Sequence, residues 1–250
     1  MDFDILVNLI SPTKHRLTTN TVLKGKYIEK ELVYVPKSKV LFVMTPTWHA
    51  SKFSTWVIRD KIRRLGYSYL SYHVNPDVLT PDYKSSKKYI LNFINEIVKD
   101  IKKYSKEYEF DEIHIAGFSL GSLYATIVAN KCKEVSKVTL VTMGNSVAEV
   151  LFDSCATKDL KKVLLKNKMP LKKLNNYWKE INPENNINNL KGKDIKIIIS
   201  KVDRIIKHKY SIKFINKLKE KGIHPHVIEN NNQGHYGTIF KFLLHPKKYL

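Results

Sequence analysis

The sequence predicts an α/β domain with a mostly parallel central sheet and helices on both faces. Three observations lead there. Short apolar runs alternate with longer amphipathic ones over most of the chain, the pattern of successive βαβ units with right-handed crossovers. The apolar runs are continuous rather than alternating, as strands become when both faces of a sheet are covered. The length of 250 residues suits one such domain.

Each element has its own signal. GKYIEKELVYVP (25–36) reads as an antiparallel hairpin at the sheet edge, ended by Pro36. KVLFVMT (39–45) is a strand, and FSTWVIRDKIRRLG (53–66) has helical spacing and stops at Gly66. YSYLSYHV (67–74) is the next strand. In residues 85–108, Tyr89, Phe93, Ile97 and Ile101 recur every four positions among lysines and acids. That predicts a long amphipathic helix, with Ser85 or Ser86 as its N-cap. EIHIAG (112–117) is a strand, followed by a helix from Ser119. KVTLVTMG (137–144), KDIKIIIS (193–200) and HPHVIEN (224–230) complete the strands. YSIKFINKLKEKG (210–222) and YGTIFKFLLHP (236–246) are helices. Residues 145–190 break the rhythm: they hold helical patches and many lysines but no clear strand. The expected organisation is a single domain, 1–250, with 145–190 as a helical lid or cap insertion.

Composition narrows the function classes. A hydrophobic fraction of 43% and an aromatic fraction of 11% support a sizeable core and exclude a disordered chain. No apolar run reaches the roughly 18 residues of a membrane-spanning helix. The start, MDFDILVNLISPTKHRL, opens with acids and carries too short an apolar stretch for a secretory signal. The expectation is a cytoplasmic protein. Cys132 and Cys155 read as ordinary thiols of a reducing compartment, and no Cys/His spacing resembles a structural zinc site. A net charge of +21, from 44 basic and 23 acidic residues, attracts polyanions and is compatible with peripheral contact with an anionic lipid surface. The lysines, however, are spread along the chain with abundant isoleucine and asparagine, as in NPENNINNLKGKDIKIII. No nucleic-acid motif accompanies them, so specific nucleic-acid binding is not expected.

The chemistry concentrates in IHIAGFSLGSLYATIVAN (113–130). Gly117-Phe118-Ser119-Leu120-Gly121 is a G-x-S-x-G string between a strand and a helix. This is the nucleophile-elbow pattern, in which a sharp turn lifts the serine hydroxyl above the sheet edge. A side chain at either flanking glycine would meet the neighbouring strand or helix. The following helix turns its N-terminal N–H groups toward the same spot. Gly121 and Ala125, both small and four apart, let that helix lie close to the sheet. A serine nucleophile needs a base and an orienting acid. Asp203 follows the apolar strand 193–200, and His235 sits in a Gly-bounded loop after the last strand. The carboxyl ends of strands are where α/β folds keep their sites. The order Ser, Asp, His is that of the α/β-hydrolase triad.

At these residues the chain resembles the α/β-hydrolases, the superfamily of esterases, lipases, thioesterases and related peptidases. GFSLG, SKVDRII and NQGHYGTIF match the elbow, acid and histidine segments. NPENNINNLKGKDIKIIISKVD resembles the stretch leading from the lid into the acid-bearing strand, and the likeness runs from about residue 25 to the end. The resemblance implies Ser119 as nucleophile, Asp203 as acid and His235 as base, with no metal or organic cofactor. It also implies an oxyanion hole made by the Leu120 N–H and a second N–H just past strand 39–45. Members often carry His-Gly there, whereas this chain has TPTWHA. Pro46 has no N–H to give. Thr47 aligns best with the usual donor, and Trp48 is second. Asp153 is the reserve acid, because some members place it after the preceding strand. Trp48, His49 and Phe118 are candidate pocket residues. His114 reads as a core residue, and His224 and His226 as a solvated face rather than a metal pair.

The expected function is hydrolysis of a carboxylic ester or thioester of a small-molecule acyl substrate. The lysine-rich insertion fits an amphiphile with an anionic head, and a small soluble ester fits equally. Acyl transfer would use the same residues. A non-catalytic relative that binds a ligand or partner is the alternative class. Covalent labelling of Ser119 separates it from an enzyme.

Overall fold

The computed structural model describes residues 28–48, 52–74 and 78–250. Among them, seven strands form one sheet: β1 (Ile28–Val33), β2 (Val40–Thr45), β3 (Ser68–Val74), β4 (Glu112–Phe118), β5 (Val135–Val141), β6 (Asp194–Ser200) and β7 (His226–Asn230). Their order is β1-β3-β2-β4-β5-β6-β7. All pairings are parallel except β1 with β3, which is antiparallel with Leu32 opposite Leu70. The edge segment is therefore one antiparallel strand rather than the expected hairpin. It pairs with β3, from Val33 opposite Tyr69 to Ile28 opposite Val74, and not with a neighbour inside 25–36. Pro36 and Lys37, the latter at φ 64°, make the turn that releases the chain into β2.

Alternation along the buried strands explains their continuous apolar runs. Leu41 and Val43 of β2, Ile113 and Ile115 of β4, and Ile195, Ile197 and Ile199 of β6 face one side. Phe42 and Met44, Ala116 and Phe118, and Ile198 face the other. Successive side chains of a strand point to opposite faces, so a strand covered twice must be apolar at every position. On the first side pack α2 (Tyr83–Tyr108), α3 (Leu120–Lys131) and α7 (His208–Glu220). On the second pack α1 (Lys52–Arg64), α8 (His235–Leu244) and α9 (Pro246–Tyr249). Of the expected stripe, helix α2 buries Phe93, Ile97 and Ile101 and leaves Tyr89 half-buried, while Ile90 and Ile94 widen the buried face. Its N-cap is Asp82, not Ser85 or Ser86: the Asp82 carboxylate accepts the N–H groups of Lys84 and Ser85. A full negative charge suits a helix N-terminus better than a hydroxyl does. Ser86 turns inward instead and accepts the Thr80 N–H.

Between β5 and β6 the chain forms α4 (Val147–Asp153), α5 (Lys158–Lys166) and α6 (Leu171–Tyr177), with short 3-10 turns between and after them. Trp178 anchors this segment: it is fully buried, and its indole N–H donates to the Tyr83 carbonyl at the start of α2. No helix among the described residues is long and apolar enough to cross a membrane.

Candidate active site

Ser119 stands at the bend between β4 and α3 with φ 54° and ψ −120°. A non-glycine residue there costs about 1–3 kcal/mol and persists only when its surroundings hold it. Here they do. The Ser119 N–H donates to the Val141 carbonyl at 2.9 Å, and its carbonyl accepts the Ser122 N–H at 2.9 Å. The buried Ser122 hydroxyl donates toward Gly117 O (2.8 Å) and Val141 O (3.0 Å). From β2, the Thr45 hydroxyl reaches Gly121 O (2.8 Å) and Ala116 O (3.1 Å). The glycines are sterically required. A Cβ on Gly117 would stand 2.3 Å from Gly121 O, and one on Gly121 would stand 2.6 Å from Thr45 O. Both clashes are with backbone, which cannot step aside.

Asp203 and His235 meet across 32 positions of sequence: His235 Nδ1 lies 2.8 Å from Asp203 Oδ2, and both side chains are buried. The other carboxylate oxygen, Oδ1, accepts the N–H groups of Ile205 (2.8 Å) and Ile206 (2.9 Å). Asp203 is thereby fixed in orientation, with one oxygen held by two backbone N–H groups and the other turned to the imidazole. The two loops are tied a second time, because the Ser200 hydroxyl at the end of β6 donates to Gln233 O, two residues before His235. With Nδ1 on the carboxylate, Nε2 is the nitrogen left for substrate chemistry. Asp153 is not the carboxylate bonded to His235. It is held by Lys207, Lys209 and Tyr210 (2.7, 2.7 and 2.9 Å). The hydrogen bonds from Lys207 and then Lys209 keep its carboxyl below the usual carboxylate range.

A cleft of about 80 Å³ opens on Ser119. Trp48 and Leu120 line it, and residues 146–157 with Pro183 supply much of its wall. Among the described residues, no charged side chain lines it. Apart from Ser119 and the Trp48 indole, its polar side chains are three hydroxyls, each already engaged. Ser146 donates to Asn175 Oδ1 (2.6 Å), Ser154 accepts the Ala156 N–H (3.3 Å), and Thr157 donates to Leu151 O (2.6 Å). The Ser119 hydroxyl makes no hydrogen bond with the described residues. The Leu120 N–H, first in α3, has no partner within its helix. Thr47 is half-buried beside Trp48, its hydroxyl bonded to the Trp48 carbonyl.

The candidate pocket residues separate. Trp48 lines the cleft, and His49 lies outside the described residues. Phe118 is a core residue rather than a pocket one: strand alternation turns it to the opposite face, edge-on to Phe242. His114 is buried with Nε2 2.8 Å from the Thr139 hydroxyl, while His224 and His226 are exposed. Sequence reading missed the clamps Thr45, Ser122 and Ser200. It also missed the amides of Ile205 and Ile206, although an Asp two and three residues ahead of unpaired N–H groups is a recognisable capping pattern. The lining residues Leu79, Gly144 and Val150 carry no local signal.

No protein-family model matches the chain, and no curated protein matches it at a significant level. Solved structures do. Est1E from Butyrivibrio proteoclasticus is 13% identical with a TM-score of 0.62, over 88% of this chain and 90% of that one. An esterase from Pyrococcus furiosus is 17% identical with a TM-score of 0.61, over 88% and 82%. An acylaminoacyl peptidase from Pyrococcus horikoshii is 16% identical with a TM-score of 0.63, over 89% of this chain but only 38% of that one. At such identities the likeness is one of fold: the chain has the α/β-hydrolase fold.

Proposed function

We propose that the protein is a serine hydrolase that cleaves a carboxylic ester or thioester through an acyl-enzyme. The observation that carries this reading is the buried His235–Asp203 pair, which leaves one imidazole nitrogen available at the same end of the sheet as the strained Ser119. Ser119 Oγ attacks the carbonyl carbon while His235 Nε2 takes its proton. The oxyanion is held by the N–H groups of Leu120 and Thr47. On collapse, the bond to the leaving oxygen or sulfur breaks and His235 returns the proton to it. Water, deprotonated by His235, then attacks the acyl-enzyme, and Ser119 leaves with the proton. Asp203 holds the imidazole tautomer and stabilises its positive charge in each transition state. Nothing in this sequence of steps calls for a cofactor. The helical insertion at 145–190 acts as the lid over the cleft.

The test is a fluorophosphonate probe read by intact mass. A single adduct on the native chain, absent in Ser119→Ala and slowed in His235→Ala, is expected. A folded native chain that takes no adduct would instead mark a ligand- or partner-binding protein.

A further inference from the structure

The cleft can be laid out along the sheet. Leu79 follows β3, Trp48 follows β2, Ser119 follows β4, Gly144 follows β5 and Ile206 follows β6, and all five line it. Their strands are successive neighbours, β3-β2-β4-β5-β6. The cleft therefore runs across five strand ends with Ser119 in the middle. Two arms flank Ser119, one on either side. One arm has Trp48 and Leu79, the other Gly144, Val150 and Ile206. The whole space, about 80 Å³, is roughly half of the ~150 Å³ that holds a benzene ring in an engineered apolar cavity. Gly144 belongs to the wall of the second arm: a Cβ there would lie 2.6 Å from Val150 Cγ2 and 3.4 Å from Ile206 Cγ2.

We infer that this cleft selects a small neutral ester with short aliphatic groups on both sides of the scissile carbonyl, and that Gly144 with Val150 limits one side while Trp48 limits the other. The inference rests on Ser119 being the nucleophile. Its chemical basis is the absence of charge among the described lining residues, together with the engagement of the Ser146 and Thr157 hydroxyls as donors to Asn175 Oδ1 and Leu151 O. A charged acyl or alcohol group would enter without a partner, at a large desolvation cost. The insertion's many lysines are no help to an anionic head inside the cleft, because none of them lines it.

The experiment measures kcat/KM on two series. Vinyl esters with acyl chains of two to eight carbons vary one side, and acetate esters of alcohols of one to eight carbons vary the other. Mono-succinyl and coenzyme A esters supply charge on each side. Short neutral members should lead, with the eight-carbon and charged members at least about tenfold poorer. Gly144→Ala should shorten the tolerated chain in one series, Val150→Ala should lengthen it in that same series, and Trp48→Ala should lengthen it in the other. Should Gly144→Ala fail to fold, Val150→Ala carries the same assignment. A preference for charged or long-chain esters, or Trp48→Ala and Val150→Ala acting on the same series, overturns the inference while fluorophosphonate labelling of Ser119 leaves the hydrolase reading standing. If Ser119 takes no adduct, both fall.

Discussion

The two ends of the sheet carry hollows of opposite character. At the carboxyl ends, the cleft at Ser119 is small, and no charged side chain among the described residues lines it. At the amino ends of β5 and β6 lies a groove of about 540 Å³, lined by Lys131, Lys133, Lys191 and Lys193. The larger hollow carries the charge, and the smaller one carries the chemistry. Lys131, Lys133 and Lys191 are exposed and report the overall +21 composition, while Lys193 is half-buried and donates to the Cys132 and Val135 carbonyls. The serine end is marked by features that cost free energy: a strained backbone at Ser119 and a buried, hydrogen-bonded His235–Asp203 pair. Such costs persist where function or neighbouring structure holds them.

That contrast is breakable, and the largest effect should come at the carboxyl end. Ser119→Ala should lower kcat/KM for a neutral ester by roughly 10⁵–10⁶-fold, measured against uncatalysed hydrolysis. Retention of more than a few per cent would remove Ser119 from the chemistry. Asp203→Asn should cost about 10⁴-fold in kcat, since the amide cannot hold the same imidazole tautomer and charge. Asp153→Asn should change kcat little, and the reverse ranking would make Asp153 the acid. Gly117→Ala should lower stability by more than about 4 kcal/mol in denaturant unfolding, because its Cβ has nowhere to go. At the amino end, the double charge reversal Lys133→Glu, Lys191→Glu should leave neutral-ester kcat/KM within about twofold at low and high salt. A larger, salt-dependent change would couple the two ends.

Between them, His114 lies on β4 inside the sheet. Burial, followed by the charges of Lys137 and Lys196, pushes its pKa down to about 3. The unfolded chain binds that proton near pH 6.5. The folded chain therefore gains stability from a neutral His114 above about 6.5, and loses it as pH falls toward 3. His114→Gln should flatten the decline in unfolding free energy over that window, and an unchanged slope would locate the acid sensitivity elsewhere.

The sequence by itself determined the alternation of strands and helices, the buried stripe of α2 and the G-x-S-x-G bend. Each depends on contacts within a few residues or on a fixed period, which a linear string records. It also placed Asp203 and His235 at strand ends. It could not decide between Asp203 and Asp153, because that depends on which loop β6 and β7 bring to the imidazole. The edge strand was misread for the same reason, its partner being β3 and not its own neighbour. Phe118 was assigned to the pocket because it adjoins the serine, whereas strand alternation sends it to the other face. The cleft itself was beyond linear reading: Leu79, Gly144 and Ile206 come together only because β3, β5 and β6 lie side by side, and that order is a property of tertiary packing.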